Sequence, residues 1–69
     1  MSLLFLSILL WLGTITTEQT YTLSQMQGYV QQNAIPIQTV YADSALASTI
    51  YSGYGSRAAE VVIVDLREQ

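Results

Sequence analysis

The chain has 69 residues, a net charge of −3 and two basic side chains, with no cysteine and no histidine. Two arginines cannot neutralise a row of phosphates, so nucleic-acid binding is excluded, and the absence of cysteine excludes disulfides and thiolate metal sites. A chain of this length forms one domain at most, and its small core is expected to depend on a partner or a membrane.

The first element is an apolar run, LLFLSILLWLG, at residues 3–13. As a helix, residues 1–17 would span roughly 25 Å, slightly less than a ~30 Å hydrocarbon core. Trp11 is typical of a membrane interface, and Ser7 can hydrogen-bond back to a helix carbonyl. We predict an uncleaved, single-pass transmembrane anchor over residues 1–17. The residues expected to contact the lipid bilayer are Leu3, Leu4, Phe5, Leu6, Ile8, Leu9, Leu10, Trp11 and Leu12.

Two other interpretations of the apolar run stay open. A cleaved signal peptide has an apolar stretch of this length, but the preceding basic residues and the small residues of a cleavage site are missing. A buried helix would need cover on every side, which we expect only within a larger assembly. The α-amino group before the run and Glu18 after it favour an extracytoplasmic C-terminal segment.

The next elements are a linker over residues 18–21 and a helix over residues 22–33. Thr22 and Gln25 have the spacing of a capping box, in which each side chain accepts from the other residue's backbone N–H. Asn33 is expected to end the helix in a left-handed conformation. The apolar residues that recur at helical spacing are Leu23, Met26 and Val30.

Two strands are predicted further along the chain. Alternation after Pro36 in IPIQTVY predicts a strand over residues 37–41. The run EVVIVDL predicts a strand over residues 60–66 that is buried on both faces or covered by a partner. Two strands alone are marginally stable, and a run as apolar as EVVIVDL is adhesive at a sheet edge, so we expect another chain to complete the sheet.

Between these strands a helix or turn is predicted over residues 43–52. Asp43 is a favourable N-cap, and the glycines Gly53 and Gly55 are expected to end the element. The residues that share its apolar face are Leu46, Ile50 and Tyr54. The predicted fold class is therefore an N-terminal single transmembrane helix followed by a small α+β segment, residues 22–69.

Candidate site residues point to protein contacts rather than to chemistry. Without histidine, cysteine or lysine, no standard base–nucleophile pair can form, so we assign no catalytic, cofactor or metal residues and predict no enzyme. Exposed tyrosines near glycines and an apolar strand are typical of protein interfaces. The predicted partner interface consists of Tyr51, Tyr54, Val61, Val62, Ile63 and Val64.

The stretch TLSQMQGYVQQNAIPIQTVYADSAL, residues 22–46, resembles the short amino-terminal domain of secretins and TonB-dependent receptors. The likeness consists of an amphipathic helix, an IPI-like strand and a tyrosine–acidic turn at Tyr41 to Asp43. It covers about a third of the chain, and no barrel or pore sequence follows. The resemblance implies an extracytoplasmic docking domain within an envelope machine, without catalysis.

We therefore expect a non-enzymatic membrane mini-protein that acts as a structural or assembly subunit of a larger envelope complex. Its expected partners are other protein subunits and the lipid bilayer, and no small-molecule substrate is evident. Two alternatives stay open, a minor membrane-anchored structural protein of a virion and the N-terminal fragment of a larger exported protein with a signal peptide.

Overall fold

The computed structural model describes residues 2–64, which fold into four helices and two short strands. In chain order the elements are α1 (Leu3–Trp11), β1 (Thr20–Thr22), α2 (Leu23–Gln32), α3 (Ala34–Tyr41), α4 (Ser44–Ala58) and β2 (Val62–Val64). The two strands form a parallel sheet, and α1 packs most extensively against α4. The three later helices connect the strands, as a parallel pair requires a long crossover.

Helix α1 is short because Gly13 stops it. Gly13 has a φ of 78°, a left-handed conformation that costs glycine little. Its N–H donates to the Leu10 carbonyl at 3.0 Å, and the Thr14 N–H donates to the Leu9 carbonyl at 2.9 Å. These two bonds are those of a Schellman motif, which satisfies the last carbonyls of a helix and reverses the chain. The nine residues of α1 span about 14 Å.

The centre of the apolar run, residues 6–9, is enclosed on all sides by the rest of the chain. Four successive residues of α1 are buried, and these are Leu6, Ser7, Ile8 and Leu9. Successive residues point in different directions around a helix, so their joint burial requires neighbours all round. Helices α2, α3 and α4 all contact α1. The buried Ser7 hydroxyl donates to the Leu3 carbonyl at 2.7 Å, as its sequence position predicted.

The prediction of a transmembrane anchor over residues 1–17 is wrong. Within residues 2–64, every helix is too short or too polar to cross a bilayer. The single-pass membrane location and the extracytoplasmic tail were inferred from that anchor, so both predictions are withdrawn together with it. The residues assigned to lipid contact instead form α1 and its C-cap, and they are Leu3, Leu4, Phe5, Leu6, Ile8, Leu9, Leu10, Trp11 and Leu12.

The predicted linker over residues 18–21 includes the start of strand β1. Ile15 turns back into the core after Gly13, and Tyr21 is buried beside it in the same cluster. The Thr16 N–H donates to the Tyr21 hydroxyl at 2.9 Å, which holds the intervening loop against the strand. The Tyr21 ring meets Tyr29 edge to face, with centroids 6.0 Å apart.

Helix α2 begins with the predicted capping box. The Gln25 N–H donates to the Thr22 hydroxyl at 3.0 Å, and the Thr22 N–H donates to the Gln25 Oε1 at 2.8 Å. Met26 is fully buried. Asn33 ends the helix, but with a φ of −111°, so the predicted left-handed stop is wrong.

Residues 37–41 belong to helix α3, so the predicted strand is wrong. Pro36 lies in the first turn of α3, where a missing N–H leaves no helix hydrogen bond unmade. The buried residues are Ile37 and Val40, three apart as on a helix face, whereas Ile35 is 78% exposed. The apparent alternation therefore combined residues from opposite sides of a helix.

Helix α4 is longer than the predicted element over residues 43–52. The Asp43 side chain caps it as predicted, accepting from the Leu46 N–H at 3.1 Å. The helix continues through Gly53 and Gly55 to Ala58, so the predicted glycine stop is wrong. Ile50 is buried on the apolar face, and Leu46 and Tyr54 pack against the same cluster, as predicted.

The predicted strand over residues 60–66 is observed only in part, as β2, Val62–Val64. Residues 60 and 61 precede the strand, with residue 60 in a turn, and residues 65 and 66 lie outside the described part of the chain. Its partner is β1 rather than residues 37–41, in the register Thr20↔Val62, Tyr21↔Ile63 and Thr22↔Val64. The predicted fold class is thus replaced by a small helix-rich fold with a two-stranded parallel sheet.

Candidate protein-interaction site

In strand β2, the Ile63 side chain faces the core and the Val62 side chain faces away from it. Ile63 pairs with the buried Tyr21 and packs against the hydrophobic cluster. Val62 is 52% exposed, because neighbouring residues of a strand point to opposite faces. An apolar strand next to the core therefore carries a valine that the rest of the described chain leaves half uncovered.

The second feature of β2 is its outer edge, the side of Val62–Val64 that faces away from β1. Among residues 2–64, β1 is the only strand that pairs with β2. In a ladder, backbone groups that point away from the partner strand are free to bind another chain. The site thus combines backbone hydrogen-bonding groups with the exposed Val62 side chain.

Tyr51, another predicted interface residue, lies on a different surface. Tyr51 is 48% exposed and lines a shallow groove together with Leu3 and Leu4 of α1 and the small residues Ala47 and Ser48. No Cα atom of α4 comes within 8 Å of one in β2. The structure therefore separates the predicted interface residues into a strand surface and a helix surface.

Tyr54 and Val61 lie between these surfaces and the core. Both pack against the hydrophobic cluster and are half-buried. The Arg57 guanidinium carbon lies 5.0 Å from the centre of the Tyr54 ring, a cation–π distance. One face of Tyr54 is thus already in contact with Arg57, and Tyr51 is the more accessible of the two tyrosines.

A further cleft lies between α1 and α2. Its lining combines three apolar side chains with two glutamine amides. The residues that line it are Phe5, Leu23, Gln27, Val30 and Gln31. Phe5 also packs on Tyr41, with ring centroids 5.3 Å apart. The cleft is uncharged, so it offers apolar and amide contacts only.

The side chains on these surfaces are apolar, hydroxyl-bearing or amide-bearing. In the part of the chain that the structure describes, no three acidic, histidine or cysteine side chains come together as a metal site would need. Two components of the surfaces were missed from the sequence. Strand β1 was not predicted, although the β-branched and aromatic residues of Thr20–Thr22 are typical of a strand. Leu3 and Leu4, which line the groove beside Tyr51, were assigned to lipid contact.

No protein-family model, characterised protein or solved structure matches this chain. The helix–strand unit on which the resemblance to secretin and receptor domains rested is a helix–helix unit in the structure, α2 followed by α3.

Proposed function

We propose that the protein is a non-enzymatic assembly protein that binds a protein partner by adding a strand to the outer edge of β2. The observation that carries the proposal is the half-exposed Val62 in a strand whose described residues pair on one side only. Strand addition draws its affinity from main-chain hydrogen bonds and its specificity from alternate side chains. Val62 would supply that side-chain contact.

The composition supports the proposal. Residues 61–64 are uncharged and β-branched, which favours pairing and does not oppose an apolar partner strand. A chain this small, without cysteines to cross-link it, gains stability when a partner covers such an edge. The resemblance to envelope docking domains forms no part of the proposal, because residues 34–41 are helical.

Site-specific photo-crosslinking in the producing cells tests this function. Benzoylphenylalanine at position 62 should give one discrete crosslinked protein, because that side chain lies beside the bound strand. The same probe at position 35 is the matched control, since Ile35 is more exposed but lies on α3. A discrete product from position 62 alone supports the proposal, and equal or no products from the two positions would overturn it.

A further inference from the structure

A small pocket beside the C-terminal ends of α1 and α4 brings together two side chains of opposite charge. Arg57, the only basic residue within residues 2–64, lines it together with Glu18. The other residues of its lining are Leu10, Ile15, Thr16 and Thr17. The fold thus places a guanidinium and a carboxylate, distant in the sequence, at the same concave surface.

The Arg57 guanidinium is held in position by its neighbours. Its central carbon lies 5.0 Å from the centre of the Tyr54 ring, and Tyr54 itself packs against the hydrophobic core. Arg57 also lies in the last turn of α4, where the partial negative charge of the helix C-terminus favours a cation. A guanidinium fixed in this way can present two parallel N–H donors to a carboxylate.

Glu18 belongs to a loop that is tied to the core. The Thr16 N–H donates to the hydroxyl of the buried Tyr21 at 2.9 Å. The Glu18 N–H in turn donates to the Thr16 hydroxyl at 3.1 Å, which closes a tight turn through a side chain. The backbone that carries Glu18 is therefore already ordered, so a ligand would not have to pay for ordering the loop.

The two charged groups leave room for a ligand. Both residues lie in the described part of the chain, and they do not form an ion pair with each other, which would require a nitrogen–oxygen distance of 4.0 Å or less. The buried Ile15 and the half-buried Leu10 give the pocket an apolar portion. Its volume is about 280 Å³. Pockets for drug-sized ligands measure about 300–1,000 Å³, so this one suits a smaller molecule.

We propose that this pocket binds a small zwitterion of the amino-acid type, with its carboxylate on Arg57 and its ammonium group on Glu18. A simple anion would be attracted by Arg57 and repelled by Glu18, and a simple cation would meet the reverse. A molecule that carries both charges is attracted by both residues. The hydroxyls of Thr16 and Thr17 can donate to the carboxylate or accept from the ammonium group.

This site goes beyond the proposed function and is separate from it. Neither α1 nor α4 has a Cα atom within 8 Å of one in β2, so the pocket lies apart from the outer edge of that strand. Binding involves no chemical step. Both charged side chains are exposed to water and salt, so the affinity is expected to be weak. We expect a dissociation constant of about 1–10 mM at low ionic strength.

Titration of the purified full-length protein with L-alanine, followed by two-dimensional NMR, tests the site. The backbone amides of Thr16, Thr17, Glu18 and Arg57 should shift along a saturable curve as alanine rises to about 50 mM, well above the expected dissociation constant. Acetate and methylammonium, which carry one of the two charges each, should bind at least about tenfold more weakly. Sodium chloride keeps the ionic strength equal in the three titrations.

Charge removal identifies the residues responsible. Arg57→Gln and Glu18→Gln should each weaken alanine binding about tenfold, because each leaves one charge of the ligand without a partner. Arg57→Lys, which keeps the charge, should bind better than Arg57→Gln. Glu60→Gln is the matched control, since Glu60 is an exposed carboxylate in a turn outside the pocket lining, and it should bind as the parent does.

Three results would overturn the inference. They are a parent protein whose amides show no saturable shift with alanine, acetate that binds the parent as tightly as alanine does, and a Glu60→Gln variant that loses binding as much as Glu18→Gln. Circular dichroism of each variant verifies that the fold is retained, so that a loss of binding reports on the pocket.

Discussion

The two most apolar runs of the chain, in α1 and in β2, lie in opposite environments. Residues 6–9 of α1 are buried on every side by three later helices. Strand β2 is covered on its inner face only, and Val62 remains half-exposed. Both runs are apolar enough to suggest a partner, yet the described chain covers the centre of α1 completely and leaves Val62 of β2 half-exposed.

The difference shows that the length of an element decides its environment as much as its hydrophobicity. A helix over residues 1–17 would be about 25 Å long, but Gly13 limits α1 to about 14 Å. Three helices of eight to fifteen residues can surround a helix of that length. Strand β2 is paired with β1 on one side, and no other strand within residues 2–64 pairs with its second edge.

The largest expected effect separates the buried run of α1 from the half-exposed run of β2, and it is measured by shortening one side chain in each. Leu9→Ala removes a fully buried side chain from the centre of the fold, where surrounding helices restrict collapse of the cavity. We expect a loss of about 3–5 kcal/mol in the free energy of unfolding, a large share of the roughly 3–10 kcal/mol available to a chain of this size. Urea denaturation measures it.

Val62→Ala is the matched variant in the other run. Because half of the Val62 side chain is already exposed, its truncation should cost about 1 kcal/mol or less in the monomer. Equal losses for the two variants, or a Leu9→Ala loss below that of Val62→Ala, would contradict the enclosed position of α1. Both variants are compared with the parent at the same protein concentration.

A second pair of variants tests whether α3 is a helix that helps to enclose α1. Ile37→Ala should cost about 2–3 kcal/mol because Ile37 is buried in the same cluster as Leu9, whereas Ile35→Ala should cost less than about 0.5 kcal/mol. In a strand, residues 35 and 37 would share a face. Similar losses at both positions would therefore favour the strand that the sequence alternation predicts.

Local sequence patterns were sufficient to predict features that depend on a hydrogen bond between a side chain and a nearby backbone amide. The capping box at Thr22 and Gln25 and the N-cap at Asp43 follow from the spacing of side chains and backbone amides within one turn. The run Val62–Val64 was also recognisable, because β-branched side chains suit a strand. These features need no knowledge of the rest of the chain.

The enclosure of α1 could not be predicted in the same way. It depends on three helices contacting α1 together, and two of them were misassigned from short patterns: α3 from an apparent alternation, and α4 from its two glycines. The signal that was available was Gly13, which is typical of a helix C′ position. Of the candidate site, the strand residues were foreseen, whereas the groove beside Tyr51 required the packing of α1 on α4.

The smallest expected effect concerns α4, whose continuation through two glycines forms part of the enclosure. A Cβ at Gly53 would meet no atom within 4 Å, so Gly53→Ala should stabilise the protein by about 0.5–1 kcal/mol, the usual gain in a helix interior. A Cβ at Gly55 would lie 3.2 Å from the Tyr51 Cε1, and that ring would have to shift. Because the Tyr51 ring is half-exposed, it can move outward at a small cost that offsets the helix gain, and Gly55→Ala should change stability by less than about 0.5 kcal/mol. Thermal unfolding of the two variants distinguishes this helix from one that ends at Gly53: in the latter, Gly53→Ala would bring no gain.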